Sequence, residues 1–258
     1  MNRLILLIVV YLSIYGGAHI YGFIKVKQGL AFGFWPGLLL AVFMAIMVAA
    51  PIMVRIAEKF EHNHIAHILA IIGFTWMGLL FVFVSALFFF DVYRFLLSMG
   101  RFVFQVYFLS ITPTTGFSCT VSMLLACIIM GYGFFEARNI RLEHVTVITD
   151  KLPKNLDSLK IAQISDVHLG VLVGEKRLKR ILDKVKAAKP HILVSTGDLV
   201  DGQIDNPDRL ATMLREIVTP HGKYAVTGNH EYYAGISRSL DFTKKAGFVL
   251  LQGFPSLF

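Results

Sequence analysis

The sequence predicts an α-helical membrane region of four transmembrane helices over residues 1–140, followed by an α/β region over residues 141–258. Three observations carry this reading. The chain of 258 residues is 55% hydrophobic with a mean hydropathy of +0.64, too apolar for an ordinary soluble domain. Its charges are unevenly spread: residues 1–144 hold nine Lys/Arg and five Asp/Glu, residues 145–258 hold sixteen and twelve. From Glu143 onward, long apolar blocks give way to short apolar runs alternating with amphipathic ones, which places the boundary near Arg141.

Leu4–Ile24, Leu30–Val54, Ile65–Phe90 and Gly116–Phe135 contain no Lys, Arg, Asp or Glu, and each reaches the roughly 20 residues that a bilayer core requires. Arg3 before the first stretch resembles the start of a cleaved signal, but GGAHIYG offers no small-x-small cleavage site, so a signal anchor is expected. Between the third and fourth spans, Phe102–Thr112 is apolar but short and is stopped by Pro113; it reads as interfacial or re-entrant. Four spans return both ends of the region to one side. Arg3, Arg55, Lys59, Arg138 and Arg141 lie on that side, against Lys25, Lys27, Arg94 and Arg101 on the other. The positive-inside rule then predicts a multi-pass protein of the cell membrane with a cytoplasmic second region.

Other features of the first region read as structural. The EHNHIAH loop, with His62, His64 and His67, lacks a carboxylate or cysteine spacing that fixes a metal geometry, and is expected to be a polar interfacial loop. Trp35, Trp76 and the run Phe88–Phe90 are lipid contacts and interface anchors. The spans show no charged group that would mark a transport path. Cys119 and Cys127, eight residues apart on one helix, are separated by a rise of about 12 Å and cannot form a disulfide.

The net charge of +8 does not point to nucleic acid, because no arginine-rich tract interleaved with aromatics occurs. Many of the basic residues fall on one expected helix, Glu175–Lys189, and the reading preferred for them is attraction to anionic lipid headgroups.

In the second region HVTVITD reads as a strand, KLPKNLDSL as a loop and LKIAQIS as a buried strand. Leu178, Ile181, Leu182 and Val185 give Glu175–Lys189 helical spacing, closed by Pro190. HILVST, Asp208–Val218, KYAVT, Ser237–Ala246 and FVLL continue the alternation as strand, helix, strand, helix and strand. Such alternation calls for βαβ units and a mainly parallel sheet, whose strands deliver the residues just beyond their C-terminal ends to one shared rim. Asp166 and His168 follow the first buried strand, Asp198 the second, and Asn229 with His230 the third. Gly197 and Gly228 stand directly before Asp198 and Asn229, where the backbone must turn sharply. One such aspartate alone would read as a turn or helix cap; three sets in this order do not. Asp201 reads as a turn or capping residue, Glu231 and Tyr232 as supports of the third loop, and His191 and His221 as structural or exposed.

The set Asp166-x-His168, Gly197-Asp198 and Gly228-Asn229-His230-Glu231 resembles the first three motifs of the calcineurin-like metallophosphoesterases. The run from EARNIRLEHV to GNHEYYAG is similar to the membrane-bound subfamily with N-terminal transmembrane helices. The motif resemblance covers about residues 134–250; the helical half matches in layout only. It implies the N-terminal part of a metallophosphoesterase α/β sandwich over 141–258. It also implies a dinuclear centre in which Asp166 and His168 bind one divalent ion, Asp198 bridges both, Asn229 binds the second, and His230 is the catalytic group facing the phosphate. Two divalent ions about 3.5–4 Å apart activate water and clamp phosphoryl oxygens. The donor set suits manganese, iron or zinc better than calcium.

The expected function is therefore a membrane-anchored phosphoester hydrolase, with membrane lipid as partner, lipid-linked phosphoesters or pyrophosphates as substrates, and no nucleic acid. The family also has a downstream His and a Gly-His-x-His motif, which the sequence to Phe258 does not contain. A truncated chain is expected on that ground, leaving one sheet face without its partner, binding metal poorly and turning over little. The alternative function is a catalytically impaired membrane protein.

Overall fold

In the computed structural model the described residues are 3–251 apart from 61, 106–110, 171, 203 and 205. The chain forms two compact units, Met1–Asn139 and Ile140–Phe258.

In the first unit α1 (Arg3–Tyr11) runs through a π-helical turn, Leu12–Gly16, into α2 (Gly17–Leu30); α3 (Phe34–Lys59), α4 (Asn63–Phe104) and α5 (Thr115–Glu136) follow. Four stretches are long and apolar enough to cross a membrane, Ile5–Leu30, Phe34–Lys59, His64–Val103 and Thr115–Glu136, which makes this a membrane protein. The packing agrees: Leu39, Phe81, Phe88 and Phe89 are exposed, whereas His19, Ser118 and Ser122 are buried. Helices bathed in lipid gain nothing by hiding apolar side chains from it and associate through small and polar ones.

The third span does not stop at Phe90, as the hydropathy window implies, but continues as helix to Phe104. Asp91 is tolerated there because its carboxylate accepts from Lys25 Nζ at 2.7 Å, Tyr21 OH at 2.6 Å and Arg94 at 3.1 Å. Arg94 in turn donates to the carbonyl of Pro113 and to Ser118 Oγ. The charged cluster ties α2, α4 and α5 together. Of the expected interfacial segment, Phe102 to Phe104 closes α4, and residues 106–110 lie outside the described residues.

In the second unit β1 (Ile161–Ile164), β2 (Leu169–Gly170), α6 (Glu175–Ala188), β3 (Ile192–Ser195), β4 (Val200–Asp201), α7 (Pro207–Arg215), β5 (Lys223–Ala225), α8 (Asn229–Ala234), α9 (Ile236–Lys245) and β6 (Val249–Leu250) follow in order. All pairings are parallel, in a four-stranded sheet β1-β3-β5-β6 and a small sheet β2-β4. Because each strand is added beside its predecessor, right-handed crossovers place the helices on one face. The row Ile164, Ser195, Ala225, Leu250 points toward the helices. There Leu178, Leu182, Leu193, Leu210, Leu214 and Phe242 form the buried core. The row Gln163, Val194, Tyr224, Val249 points the other way; on that open face Ile161 and Val249 are 54% and 56% exposed.

Lys223 is buried on the helix side, where Nζ donates to the carbonyls of Leu214 (2.8 Å) and Ala246 (2.9 Å) and caps α7 and α9 at once. Burial, with Arg215 nearby, holds its pKa below that of an ordinary lysine.

One expected strand is absent. HVTVITD forms no strand and ends in a turn at Asp150, and Ile148 is 95% exposed. Its β-branched residues fit a strand, but strand formation needs a neighbouring backbone, and no described strand lies beside it. Residues 229–234, expected as loop, form the short helix α8 instead.

Candidate metal centre

The site grows from the aligned C-terminal ends of β1, β3 and β5, where Ile164 is level with Ser195 and Ser195 with Ala225. Past the ends the loops stay joined. Asp166 N–H donates to the carbonyl of Gly197 (3.2 Å), His168 N–H to that of Asp198 (2.9 Å) and Leu169 N–H to that of Leu199 (2.9 Å), which leads into the β2-β4 pair. The first and second motifs are thus neighbours through backbone as well as side chains.

Three candidate donors sit on left-handed backbone: Asp166 and His168 at φ 52° and Asp198 at φ 51°. For residues with a Cβ this costs about 1 kcal/mol or more each, so the surroundings must hold it. Two glycines make room. A Cβ on Gly197 (φ 106°) would lie 2.9 Å from Gly228 N, and one on Gly228 would lie 2.2 Å from Asp198 Oδ1. Gly197 makes the turn read from sequence, and both glycines also let the second and third loops touch.

Glu231 does the holding. Its buried carboxylate accepts four backbone N–H groups: Leu199 (2.6 Å) and Val200 (3.1 Å) on Oε1, and Gly228 (2.7 Å) and Asp198 (3.1 Å) on Oε2. It fastens the third loop, as expected from sequence, and the second as well. Tyr232, paired with it in that expectation, is exposed at 64% and makes no such side-chain hydrogen bond among the described residues.

Around this frame one ligand atom each from His168, Asp198 and His230 lies within 4.8 Å of the others. Asp198 Oδ1 accepts the backbone N–H of His230 (2.9 Å), and the rings of His168 and His230 meet edge-on with centroids 4.4 Å apart. Asp166, 67% exposed, reaches to 3.9 Å from His168 Nε2 and accepts from Ser165 Oγ. Asn229 opens α8 at the same loop, exposed, with no side-chain hydrogen bond among the described residues.

Asp201 is neither turn nor cap. It lies in β4, its Oδ1 is 3.0 Å from His230 Nδ1, and its Oδ2 is 3.8 Å from His168 Nδ1. The signal available in the sequence was its spacing: three residues after Asp198, at the end of a two-residue strand, it stays at the same rim. His191 is structural, its Nδ1 accepting from Lys160 N–H.

The donors fit a divalent cation. Asp166, Asp198, Asp201 and Glu231 converge with two imidazoles, and among the described residues no Lys or Arg pairs with any of the four carboxylates. Glu231 is compensated by four amides, whereas Asp198 accepts the His230 N–H and Asp201 lies against the His230 ring. Mixed oxygen and imidazole donors match transition metals of intermediate softness.

Residues 159–253 match the family model described as calcineurin-like phosphoesterase. Over 131 residues the chain is 47% identical to an uncharacterized metallophosphoesterase of Aquifex aeolicus, covering 51% of this chain and 50% of that protein. A Danio rerio protein named transmembrane protein with metallophosphoesterase domain is 31% identical over 170 residues, 65% of this chain and 38% of its own length. The UDP-2,3-diacylglucosamine pyrophosphatase LpxG of Chlamydia trachomatis is 32% identical over 131 residues, 49% of this chain and 40% of its own. The chain spans half the length or less of these curated relatives. No solved structure matches it.

Proposed function

We propose that the chain, whose residues 159–253 carry a calcineurin-like phosphoesterase domain, is a membrane-anchored, metal-dependent hydrolase of phosphate esters or pyrophosphates, with residues 1–140 as anchor and 141–258 as catalytic part. The observation that carries this is the gathering of His168, Asp198 and His230 on backbone that is left-handed at two of them and braced by Glu231. In this reading Asp166 and His168 would hold one divalent ion and Asn229 a second, with Asp198 shared between them, and the ions would be manganese, iron or zinc. When bound, such ions polarise phosphoryl oxygens and activate water.

The chain's own residues supply orientation and proton handling. Asp201 Oδ1 accepts the Nδ1–H of His230 and so orients the ring; with the imidazole doubly protonated, Nε2–H would donate to a phosphoryl oxygen or pass its proton to the leaving oxygen, leaving the neutral ring hydrogen-bonded to Asp201. Backbone already held in its bound form spares that reorganisation during the reaction. A lipid-linked substrate is supported by the apolar helices on the same chain and by the relative from Chlamydia trachomatis, whose name is that of a pyrophosphatase acting on a diacylated sugar nucleotide.

The test is metal content and hydrolysis of bis(p-nitrophenyl) phosphate by the full chain in detergent with added manganese. Asp198→Ala is expected to lower bound metal to background and abolish hydrolysis. Equal metal content in parent and variant would overturn the assignment.

A further inference from the structure

Helix α6 presents a cationic face that the proposed site does not use. Its apolar wedge, Leu178, Leu182 and Val185 with Ile181 beside them, is taken up by the core. At about 100° per residue the remaining half of the helix carries Lys176, Lys179, Arg180, Lys184 and Lys186, all exposed, with Lys189 at the C-terminal cap. The only acids on the helix are Glu175, which pairs with Arg209 at 2.6 Å, and Asp183. Lys176, Lys179, Lys184, Lys186 and Lys189 make no side-chain ion pair among the described residues.

The charge is local. Unit Ile140–Phe258 holds seventeen Lys/Arg and thirteen Asp/Glu, of which residues 175–189 hold seven and two. The rest of the unit, with ten and eleven, is close to neutral. A domain that needed charge only for solubility would spread it; here the whole positive excess lies on one exposed helix of a chain that also carries four membrane-crossing stretches.

We infer that the outer face of α6 docks on an anionic bilayer surface and holds the catalytic unit against the membrane into which its own helices insert. This rests on the membrane-anchored reading above and deepens it, because it assigns the surface on which the substrate would be met. Each lysine or arginine near an anionic surface contributes about a fivefold gain in affinity, and that gain decays within a Debye length of roughly 10 Å at 0.1 M salt. The exposed aliphatic stems can also lie along lipid while the ammonium groups reach phosphate.

The test is residue-resolved amine acetylation of the full chain in nanodiscs of phosphatidylcholine, with or without about one third phosphatidylglycerol. Lys176, Lys179, Lys184 and Lys186 are expected to label several-fold more slowly in the anionic discs, with the difference lost near 1 M salt and Lys244 on α9 unaffected. Asp183→Lys, which adds a cation to the same face, is expected to deepen the protection. Equal labelling in both discs overturns the inference. Protection in phosphatidylcholine discs on adding inorganic phosphate at matched ionic strength would make this a free-anion site instead, and protection there by RNA would make it a nucleic-acid face; either result also overturns it. None of these readouts depends on turnover. Protection without hydrolysis would count against the proposed function alone, and hydrolysis without protection against the docking face alone.

Discussion

Replacing Glu231 with glutamine isolates the role of one carboxylate with almost no change in volume. In the parent its two oxygens accept four N–H groups from residues 198, 199, 200 and 228. Hydrogen bonds to a charged acceptor are worth about 1.5–3 kcal/mol each, and a buried donor left unpaired costs about 1–3 kcal/mol. Glutamine keeps one oxygen, so two bonds survive at roughly neutral strength, near 1 kcal/mol each, while its NH₂ faces the other two donors. The sum is a loss of about 4 kcal/mol or more, set against the 5–15 kcal/mol typical of a folded domain. The assay is hydrogen exchange of the four amides by NMR or fragment mass spectrometry, with thermal unfolding alongside. The amides are expected to exchange about a thousandfold faster than in the parent. The transition of the second unit is expected to fall by about 12–20 °C. If all four amides of Glu231→Gln exchanged within tenfold of the parent rates, the brace would be no more than a local contact.

Three further outcomes follow from the same geometry. Asp166→Gly removes a left-handed residue with a Cβ and is expected to raise stability by about 1 kcal/mol in chemical denaturation while weakening metal retention; a loss of stability would show that the backbone there is not strained. Asp201→Asn is expected to leave bound metal near the parent level and to lower kcat about ten- to a hundredfold, since it disturbs the orientation of His230; a change confined to KM would remove Asp201 from that role. For Lys223 the folded pKa lies below the unfolded one, so the burial penalty is present in full at neutral pH and stability rises as pH climbs through the folded pKa toward the ordinary lysine value. Lys223→Met is expected to cost about 2–3 kcal/mol at neutral pH by orphaning the carbonyls of Leu214 and Ala246, and to lack the alkaline rise seen when the parent is denatured at a series of pH values from about 7 to 10; parallel curves would refute the titration.

Element type was legible where period and burial agree. Leu178, Leu182 and Val185 announce α6, and ILVS is a short apolar run that in βαβ order reads as a strand, buried at Leu193 and Ser195. The convergence of His168, Asp198 and His230 was also legible, because parallel topology brings strand ends together whatever the intervening sequence. Tertiary pairing was not. HVTVITD carries strand propensity but lacks a partner, and β2 and β4 exist only because loops leaving β1 and β3 keep pairing past Gly197 and Asp198. Asp201 reads from sequence as a turn or cap because its contact with His230 spans 29 positions and depends on a strand too short to show any period. The left-handed residues were invisible for a related reason: aspartate and histidine do not advertise positive φ as glycine does. In the membrane unit, hydropathy stopped at Asp91, since a window average counts a carboxylate as a penalty and cannot see that Lys25, Tyr21 and Arg94 already satisfy it.

The unbroken run of α4 from Asn63 to Phe104 reaches further than its part in the bundle. At 1.5 Å per residue its 42 residues measure about 63 Å, twice the thickness of a hydrocarbon core near 30 Å, and no tilt within the usual limit of about 40° would contain it. Its far end, with Phe95, Leu96, Met99 and Phe102 turned outward, must share the headgroup zone or draw the lipids up around itself. Acyl-chain length thereby becomes a mechanical variable for this protein: short-chain and long-chain phosphatidylcholines will seat the rod at different depths, and the Asp91 cluster will move with it.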